Sequence, residues 1–477
     1  MSQRQREKPS KAPLYSKRAL RQCLAVITSY AWVLTHSVNA HAVIATGRFT
    51  FGGFISQENL SPNVTIGSAG SNDFQTFSGR MYLNLQKVGS FDLTTDLRDK
   101  HDFFDHVNPL TNQQVNPQQL PSYSSADDFQ VYEASAKYPN RDGSFYASLG
   151  RFNLMEAGGA FVDGIELGKR FANNWRFGFF GGHNPKRPED WYVRTDNPDY
   201  DYGLYLNYQS PSGQVDRYLN ASTALYFNQV NGFADRIYLF SNIVYQRNAS
   251  SHWISNLFLD FVPRVFIQNG MIYYNQGVGS KLDFSLQASA VDAIGYQEIH
   301  NILETLPSSA YHELDFQTRY LFKSTARILF DTRWGERDVD GKLREEIKLG
   351  AGSTGFLGEK LALTGSIGWL HDFIAEGPEA LFDLGYFSRK WDCGLTTRAA
   401  VQTRTDGDPN NTSALHPLML DLHFGNIMNR VLYSMVSFQY AQNEIVSAIS
   451  AFFKITYRFG PNDLAPVNDK APAVRSL

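Results

Sequence analysis

The stretch that most restricts how this chain can fold is Val446 to Phe459, VSAISAFFKITYRF. Ile449, Ala451, Phe453, Ile455, Tyr457 and Phe459 fall on one parity. Ser450, Lys454, Thr456 and Arg458 fall on the other, with Phe452 the one large apolar exception. Successive side chains of a β-strand point to opposite faces, so this segment has one apolar face and one wet face. A soluble β-sandwich would show the same alternation. The rest of the chain decides which solvent the apolar face meets.

The pattern recurs along the chain. Phe77, Met81, Leu83 and Leu85 alternate with Ser78, Arg80, Tyr82, Asn84 and Gln86, and Leu93, Thr95 and Leu97 with Asp92, Thr94, Asp96 and Arg98. Leu314, Phe316, Thr318 and Tyr320 alternate with Asp315, Gln317 and Arg319. Ile328, Phe330, Thr332 and Trp334 do so with Arg327, Leu329, Asp331 and Arg333. Arg or Lys on a lipid-facing position costs ~2–4 kcal/mol at the bilayer midplane. That penalty accounts for one face staying free of charge while the other carries it in strand after strand. Aromatic residues make up 14% of the chain, beside 37 glycines, and the apolar runs after residue 42 are too short for a spanning helix. These features point to an all-β fold: a single antiparallel up-and-down transmembrane β-barrel. Trp253, Trp334, Trp369, Trp391, Tyr200, Tyr202, Tyr386 and Tyr457 are candidates for its interfacial girdles.

Residues 1–42 read as a secretory signal peptide. Seven cations up to Arg21 face Glu7 alone, the apolar run Cys23–Thr35 follows, and Ala40-His41-Ala42 gives a small-x-small cleavage site. The run is too short to anchor the chain as a spanning helix. Without this segment the net charge moves from −3 to −9, which excludes nucleic-acid binding through a basic field. Only Cys393 remains, so no intrachain disulfide is expected. Residues 43–460 contain no repeat or linker and read as one barrel domain.

Short connections near 87–90, 139–143, 172–174, 210–215, 247–251, 322–324, 389–391 and 426–429 alternate with longer polar ones. The longer ones lie near 57–75, 99–127, 184–199, 291–310, 335–341, 371–379 and 404–415. Bacterial barrels keep short turns in the periplasm and have an even strand count. The first strand, near Ala45–Ser56, then runs outward. An even count requires Arg264–Asn275 to be a strand, giving about 22 strands, within a range of about 18–22. The 43–76 segment leaves no room for a plug domain before the barrel.

The terminal strand resembles the C-terminal signature of Gram-negative outer-membrane β-barrels, with Phe453, Ile455, Tyr457 and a final Phe459. The resemblance implies that these residues are an assembly signal read by the barrel assembly machinery. It departs from that pattern in the tail Gly460–Leu477, where residues 461–477 are expected to be a disordered periplasmic segment. A second, looser resemblance is to hairpins of porin-like and polysaccharide-export barrels: LGRFNLMEAGGAFVDGIELGKRF, Leu149–Phe171, followed by WRFGFFGG. Gly158-Gly159 and Asp163-Gly164 suit a tight fold-back. The intervening stretch could bend inward as a constriction loop, or form a surface hairpin, the plainer reading and the one favoured here.

By register, Arg80, Asp92, Asp96, Arg98, Glu166, Arg170, Arg176, Asp315, Arg319, Arg327, Asp331, Arg333, Arg398, Lys454 and Arg458 line the lumen. Rows of Arg and carboxylate set up the transverse field of a diffusion pore, or pair across the wall to stiffen it. The set as a whole favours a wet lumen. There is no HExxH, GxSxG, P-loop or Cys/His metal spacing. His423 beside Asp421 reads as an ordinary lumen histidine. Asp196-Asn197-Pro198-Asp199 and Asp406-Gly407-Asp408 read as turn punctuation rather than Ca²⁺ loops. No cofactor, metal or catalytic group is expected. The expected function is a porin-like channel of the bacterial outer membrane, whose partners are the lipid bilayer and small hydrophilic solutes. A polymer-export barrel and a non-conducting structural or adhesive barrel remain the alternatives.

Overall fold

The computed structural model describes residues 43–60, 71–105, 127–138, 144–171, 174–185, 199–210, 217–230, 233–248, 250–262, 265–292, 310–338, 340–355, 360–373, 375–404, 414–429, 431–444 and 446–460. The expected signal peptide, residues 1–42, and the expected tail, residues 461–477, lie outside them. In chain order the strands are β1 (Ile44–Leu60), β2 (Ser71–Val88), β3 (Phe91–Asp105), β4 (Asp127–Tyr138), β5 (Phe145–Leu154), β6 (Ala160–Arg170), β7 (Trp175–His183) and β8 (Tyr200–Gln209). Next come β9 (Tyr218–Val230), β10 (Phe233–Asn248), β11 (Ser251–Asp260), β12 (Phe266–Val278), β13 (Leu282–Val291), β14 (Tyr311–Lys323), β15 (Ala326–Arg337) and β16 (Lys342–Gly355). The last are β17 (Leu361–His371), β18 (Ala375–Phe387), β19 (Trp391–Ala400), β20 (Gln402–Arg404), β21 (Ala414–Leu415), β22 (Leu418–Ile427), β23 (Leu432–Gln442) and β24 (Val446–Phe459).

Apart from the interrupted β19–β22 region, every strand pairs antiparallel with its chain neighbours, and β1 also pairs with β24, from Gly47↔Phe459 to Leu60↔Val446. That seam closes the sheet. The short β20 and β21 extend β19 and β22 past single-residue and two-residue breaks, so the wall has 22 staves. At the β19–β20 break, Gly377 on β18 sits at φ 154°, and a Cβ there would overlap the Val401 carbonyl. The segment added for parity is real: β12 spans Phe266–Val278.

Face assignment follows from burial. Phe49, Phe51 and Ile55 on β1, Phe177 and Phe179 on β7, Ile367 and Trp369 on β17, Leu422 and Phe424 on β22, and Ile455 and Tyr457 on β24 are exposed large apolar residues of one parity. Ile367 leaves 69% of its surface open and Phe438 on β23 leaves 56%. An apolar surface of this extent around a closed wall needs hydrocarbon, not water, as its solvent. Trp253, Trp334, Trp369, Trp391, Tyr200, Tyr202, Tyr386 and Tyr457 share that outer parity. Tyr205, Tyr226 and Tyr238 face inward and are buried.

The two ends differ. Tight turns at 89–90, 279–281, 324–325 and 388–390 share the end where β1 begins and β24 finishes. β1, β3, β13 and β20 finish at the other end, where β2, β4, β14 and β21 begin. Two segments expected to be long loops there are tight instead. β15 runs to Arg337 and β16 begins at Lys342, while β17 ends at His371 and β18 begins at Ala375. Polar composition near 335–341 and 371–379 reflected strand ends leaving the membrane rather than loop length. Replacing Leu422 by Arg should cost ~2–4 kcal/mol of folding stability in vesicles, read by urea titration, whereas Thr396→Arg on the lumen parity of β19 should change it by less than ~1 kcal/mol.

Candidate functional site: the lumen wall and the β5–β6 hairpin

The lumen parity carries charge on most staves, and much of it is paired across strands. Arg80 on β2 holds Asp96 on β3 through two hydrogen bonds of 2.8 and 2.5 Å. Arg98 reaches the Tyr132 hydroxyl at 3.5 Å, and the Lys87 backbone amide donates to Asp92 at 2.8 Å. Arg319 on β14 meets Asp283 on β13 at 3.1 Å. On β15, Arg333 reaches Asp315 at 3.1 Å and Glu313 and Glu346 at 3.5 Å each.

That last group continues around the wall. Arg344 joins Glu313 at 3.3 Å, and Lys348 contacts Glu346 on its own strand. Lys348 also meets Glu379 on β18 at 2.9 Å, and Arg398 on β19 meets the same carboxylate at 2.6 Å. β17 lies between Lys348 and Glu379, and the residue in register with both is Gly368. A Cβ there would crowd Lys348 at 2.7 Å, so glycine is what lets the lysine cross one stave. Asp331, Arg327, Lys454 and Arg458 share the lumen parity. So do Asp421 and His423, the latter 3.5 Å from Asp392.

The hairpin between β5 and β6 departs from the wall. β4 pairs with β5 only over Ala134–Tyr138, although β4 continues to Asp127, and β6 pairs with β7 only from Asp163 onward. At the departure line three glycines stand in one row across three strands: Gly150↔Gly164↔Gly182. Gly150 adopts φ 113°, and Cβ atoms at Gly164 and Gly182 would each overlap the other strand's backbone. Side chains in this row would hold the strands apart, so the row is a crease along which the hairpin can turn.

Beyond the crease the chain makes a single 3-10 turn, Met155–Ala157, closed by Gly158 and Gly159 at φ 73° and 82°. The tip does not lie on the surface, the expectation favoured from sequence. It packs on the lumen parity of β7–β11. Phe152, Leu154, Ala157, Ala160 and Val162 are buried in one cluster with Phe180, Tyr205, Ala224, Tyr226, Tyr238 and Phe240, and Phe258 packs against it. Tyr238 donates its hydroxyl to the Ala157 carbonyl at 3.1 Å. A Cβ at Gly158 would meet the Phe258 ring at 2.6 Å, so that glycine also allows the close approach.

Two ionic ties hold this arrangement. At the crease Arg151 and Asp163 form a buried bidentate pair, both bonds 2.6 Å, and Arg151 also donates to the Val131 carbonyl at 3.2 Å. The latter bond satisfies an acceptor on the part of β4 that β5 has left. Further down, Arg176 on β7 bridges Glu166 on β6 at 2.7 Å and Glu156 in the tip at 2.6 Å. Its guanidinium lies 4.2 Å from the Tyr146 ring centroid, and Arg170 lies 5.5 Å from the same ring. Glu166 also accepts from Ser148 at 2.7 Å and from Tyr205, whose hydroxyl is 2.6 Å from that of Tyr146.

Of the residues expected in the lumen, Arg80, Asp96, Arg333, Asp315 and Arg398 fall in cross-strand pairs, and Glu166 and Arg176 in the hairpin support. Gly158, Gly159, Asp163 and Gly164 lie in the tip or at the crease. Sequence reading missed Arg151, Glu156, Glu346, Lys348 and Glu379. The recurring parity of Glu346-x-Lys348 was a usable signal. Arg151 was not, because it falls on the outer parity. Among the described residues no group of three His, Cys, Asp or Glu side chains could hold a metal.

No family model and no curated protein matches the chain. Among solved structures it is similar to OccAB2 of Acinetobacter baumannii, at 9% identity and TM-score 0.41, covering 87% of this chain and 98% of that one. It is similar to OccK9 (OpdG) of Pseudomonas aeruginosa at the same identity, TM-score and coverage. The outer membrane protein opdK of the same organism matches at 7% identity and TM-score 0.40, covering 87% and 99%. These likenesses are too distant to transfer a site or a solute.

The buried crease pair gives a direct test. Asp163→Asn or Arg151→Met alone should destabilise the barrel by ~3–5 kcal/mol in urea titrations, because each leaves a buried partner uncompensated. The double variant Arg151→Met/Asp163→Leu should recover most of that loss.

Proposed function

We propose that this protein is an outer-membrane channel for passive diffusion of small hydrophilic solutes, with the lumen narrowed by the β5–β6 hairpin. The observation that carries the reading is the division of the closed wall. Its outer parity carries a belt of exposed large apolar side chains around the wall. Its inner parity, away from the hairpin, keeps charged side chains open to solvent, Arg398 by 44% and Arg80 by 42%. Charges so placed need water, and water through a membrane wall is a conduction path.

The hairpin confines that path. It covers the inner faces of β8–β11, where Tyr205, Tyr226 and Tyr238 are buried, and leaves β12–β24 and β1–β4 to line the passage. Glu166, Arg170 and Arg176 act in this reading as supports of the constriction, and Gly158, Gly159, Asp163 and Gly164 as its fold-back. The paired charges from Glu313 to Arg398 supply a lateral field across the passage. Phe453, Ile455, Tyr457 and Phe459 on the lipid face of β24 remain the proposed assembly signal, read by the barrel assembly machinery.

Reconstitution into planar bilayers tests the proposal. The folded protein should show steady single-channel steps without any added partner. Replacing Met155–Gly159 by a Gly-Ser pair, with folding verified by heat-modifiable gel mobility, should enlarge those steps. A folded barrel that never conducts, with or without its hairpin tip, would overturn the reading and favour a filled structural barrel.

A further inference from the structure

The closing seam carries an unusual opposition of charge. Arg48 on β1 and Arg458 on β24 stand directly opposite each other in register, on the lumen parity and exposed. Like charges placed opposite on one face of a sheet destabilise the pairing. Here the pairing concerned is the one that closes the barrel.

Two other arginine pairs stand in register on the inner wall, and both are neutralised. Arg80 opposes Arg98, but Asp96 holds Arg80 by two bonds. Arg170 opposes Arg176, but Glu166 and Glu156 hold Arg176. Among the described residues no carboxylate pairs with Arg48 or Arg458. The next stave offers Arg48 the ring of Tyr82, 5.8 Å from its guanidinium, and not an anion. The nearest acidic positions along the row, Asp96 and Glu133, are bound to Arg80 and to Lys137 at 2.7 Å.

The surroundings suit a guest that supplies the missing charge. One row above, Thr50 and Thr456 share the same face, their hydroxyls 3.3 Å apart. One row above that, Lys454 stands opposite Gly52, which has no side chain to fill the space in front of it. Two guanidiniums, two hydroxyls and an ammonium thus line one patch of two adjacent strands. Guanidinium forks match the paired oxygens of carboxylate and phosphate.

We propose that this patch binds a small oxyanion, a carboxylate or phosphate group, which bridges Arg48 and Arg458 and so clips the first strand to the last. The site requires a wetted inner wall but not conduction, so it can fail while the channel reading stands, and the reverse. Its occupant favours the closed barrel by mass action, because it binds the two arginines together only when β1 and β24 are paired.

The test uses the full folded chain in detergent and follows the temperature at which the fast-migrating barrel converts to the slow, unfolded form. Matched ionic strengths of sodium chloride, inorganic phosphate and succinate are compared. Wild type should show an upward shift of the midpoint in phosphate, in succinate or in both; the pattern reports which oxyanion the patch prefers. Arg458→Gln should lose the shift, yet in chloride be no less heat-resistant than wild type, since it also removes the repulsion. Arg458→Lys should retain part of the shift, which separates loss of the site from faulty assembly. Equal midpoints for wild type in all three salts, or an undiminished shift in Arg458→Gln, would overturn the proposal.

Discussion

The structure depends on one requirement: in hydrocarbon, each backbone N–H and C=O must find its partner within the protein. A sheet meets it only by having no edge. In this chain the condition is met by the long register between β1 and β24, and all else follows from the circle it closes. Alternating side chains acquire an inside and an outside, so a period of two along the strand becomes a partition between water and lipid. The apolar belt and the charged lumen are two readings of one geometric fact.

The one place where the wall departs from that rule shows how the rule is kept. When β5 and β6 turn inward, β4 loses the neighbour that its outer half would have had. The Arg151 guanidinium takes one of the freed carbonyls and is itself neutralised by Asp163 across the hairpin. The crease Gly150–Gly164–Gly182 lets the strands bend without side-chain collision, and the tip buries its apolar residues against tyrosines and phenylalanines of the inner wall. A hairpin held only by Arg176 and Glu156 would compete with water for its ion pairs. Burial of Phe152, Leu154 and Val162 against that wall gives the tip a fixed seat by excluding water from it.

Much of this was legible beforehand, and the reasons are physical. A midplane arginine on the lipid side is costly enough that the partition recurs from stave to stave, and in the structure Asp96, Asp315, Arg333 and Arg398 share the parity opposite the apolar belt. The girdle candidates fall on the outer parity, where tryptophan and tyrosine tips are satisfied at an interface. The hairpin was harder. Phe152, Leu154 and Val162 sit on the lumen parity while being apolar, a local contradiction of the pattern that was the only sign of an inner packing surface. The polar stretches 335–341 and 371–379 misled because a strand emerging from the membrane becomes polar before it turns.

Pairing partners were the least legible feature, since they depend on register between strands distant in sequence. Lys348 and Glu379 meet only because Gly368 intervenes on β17, and nothing local to any of the three residues announces it. The consequence is a wall whose charges are linked over several staves rather than in isolated couples. In a narrow lumen this matters for what passes. Each arginine already held by a carboxylate offers a solute an oriented dipole rather than a bare charge, and a set of such dipoles attracts polar molecules without trapping ions of either sign. The wall from β13 to β19 is of that kind, whereas the seam between β24 and β1 is not. In the proposed channel the lumen therefore presents one largely compensated side and one cationic side, a difference that a passing solute would meet.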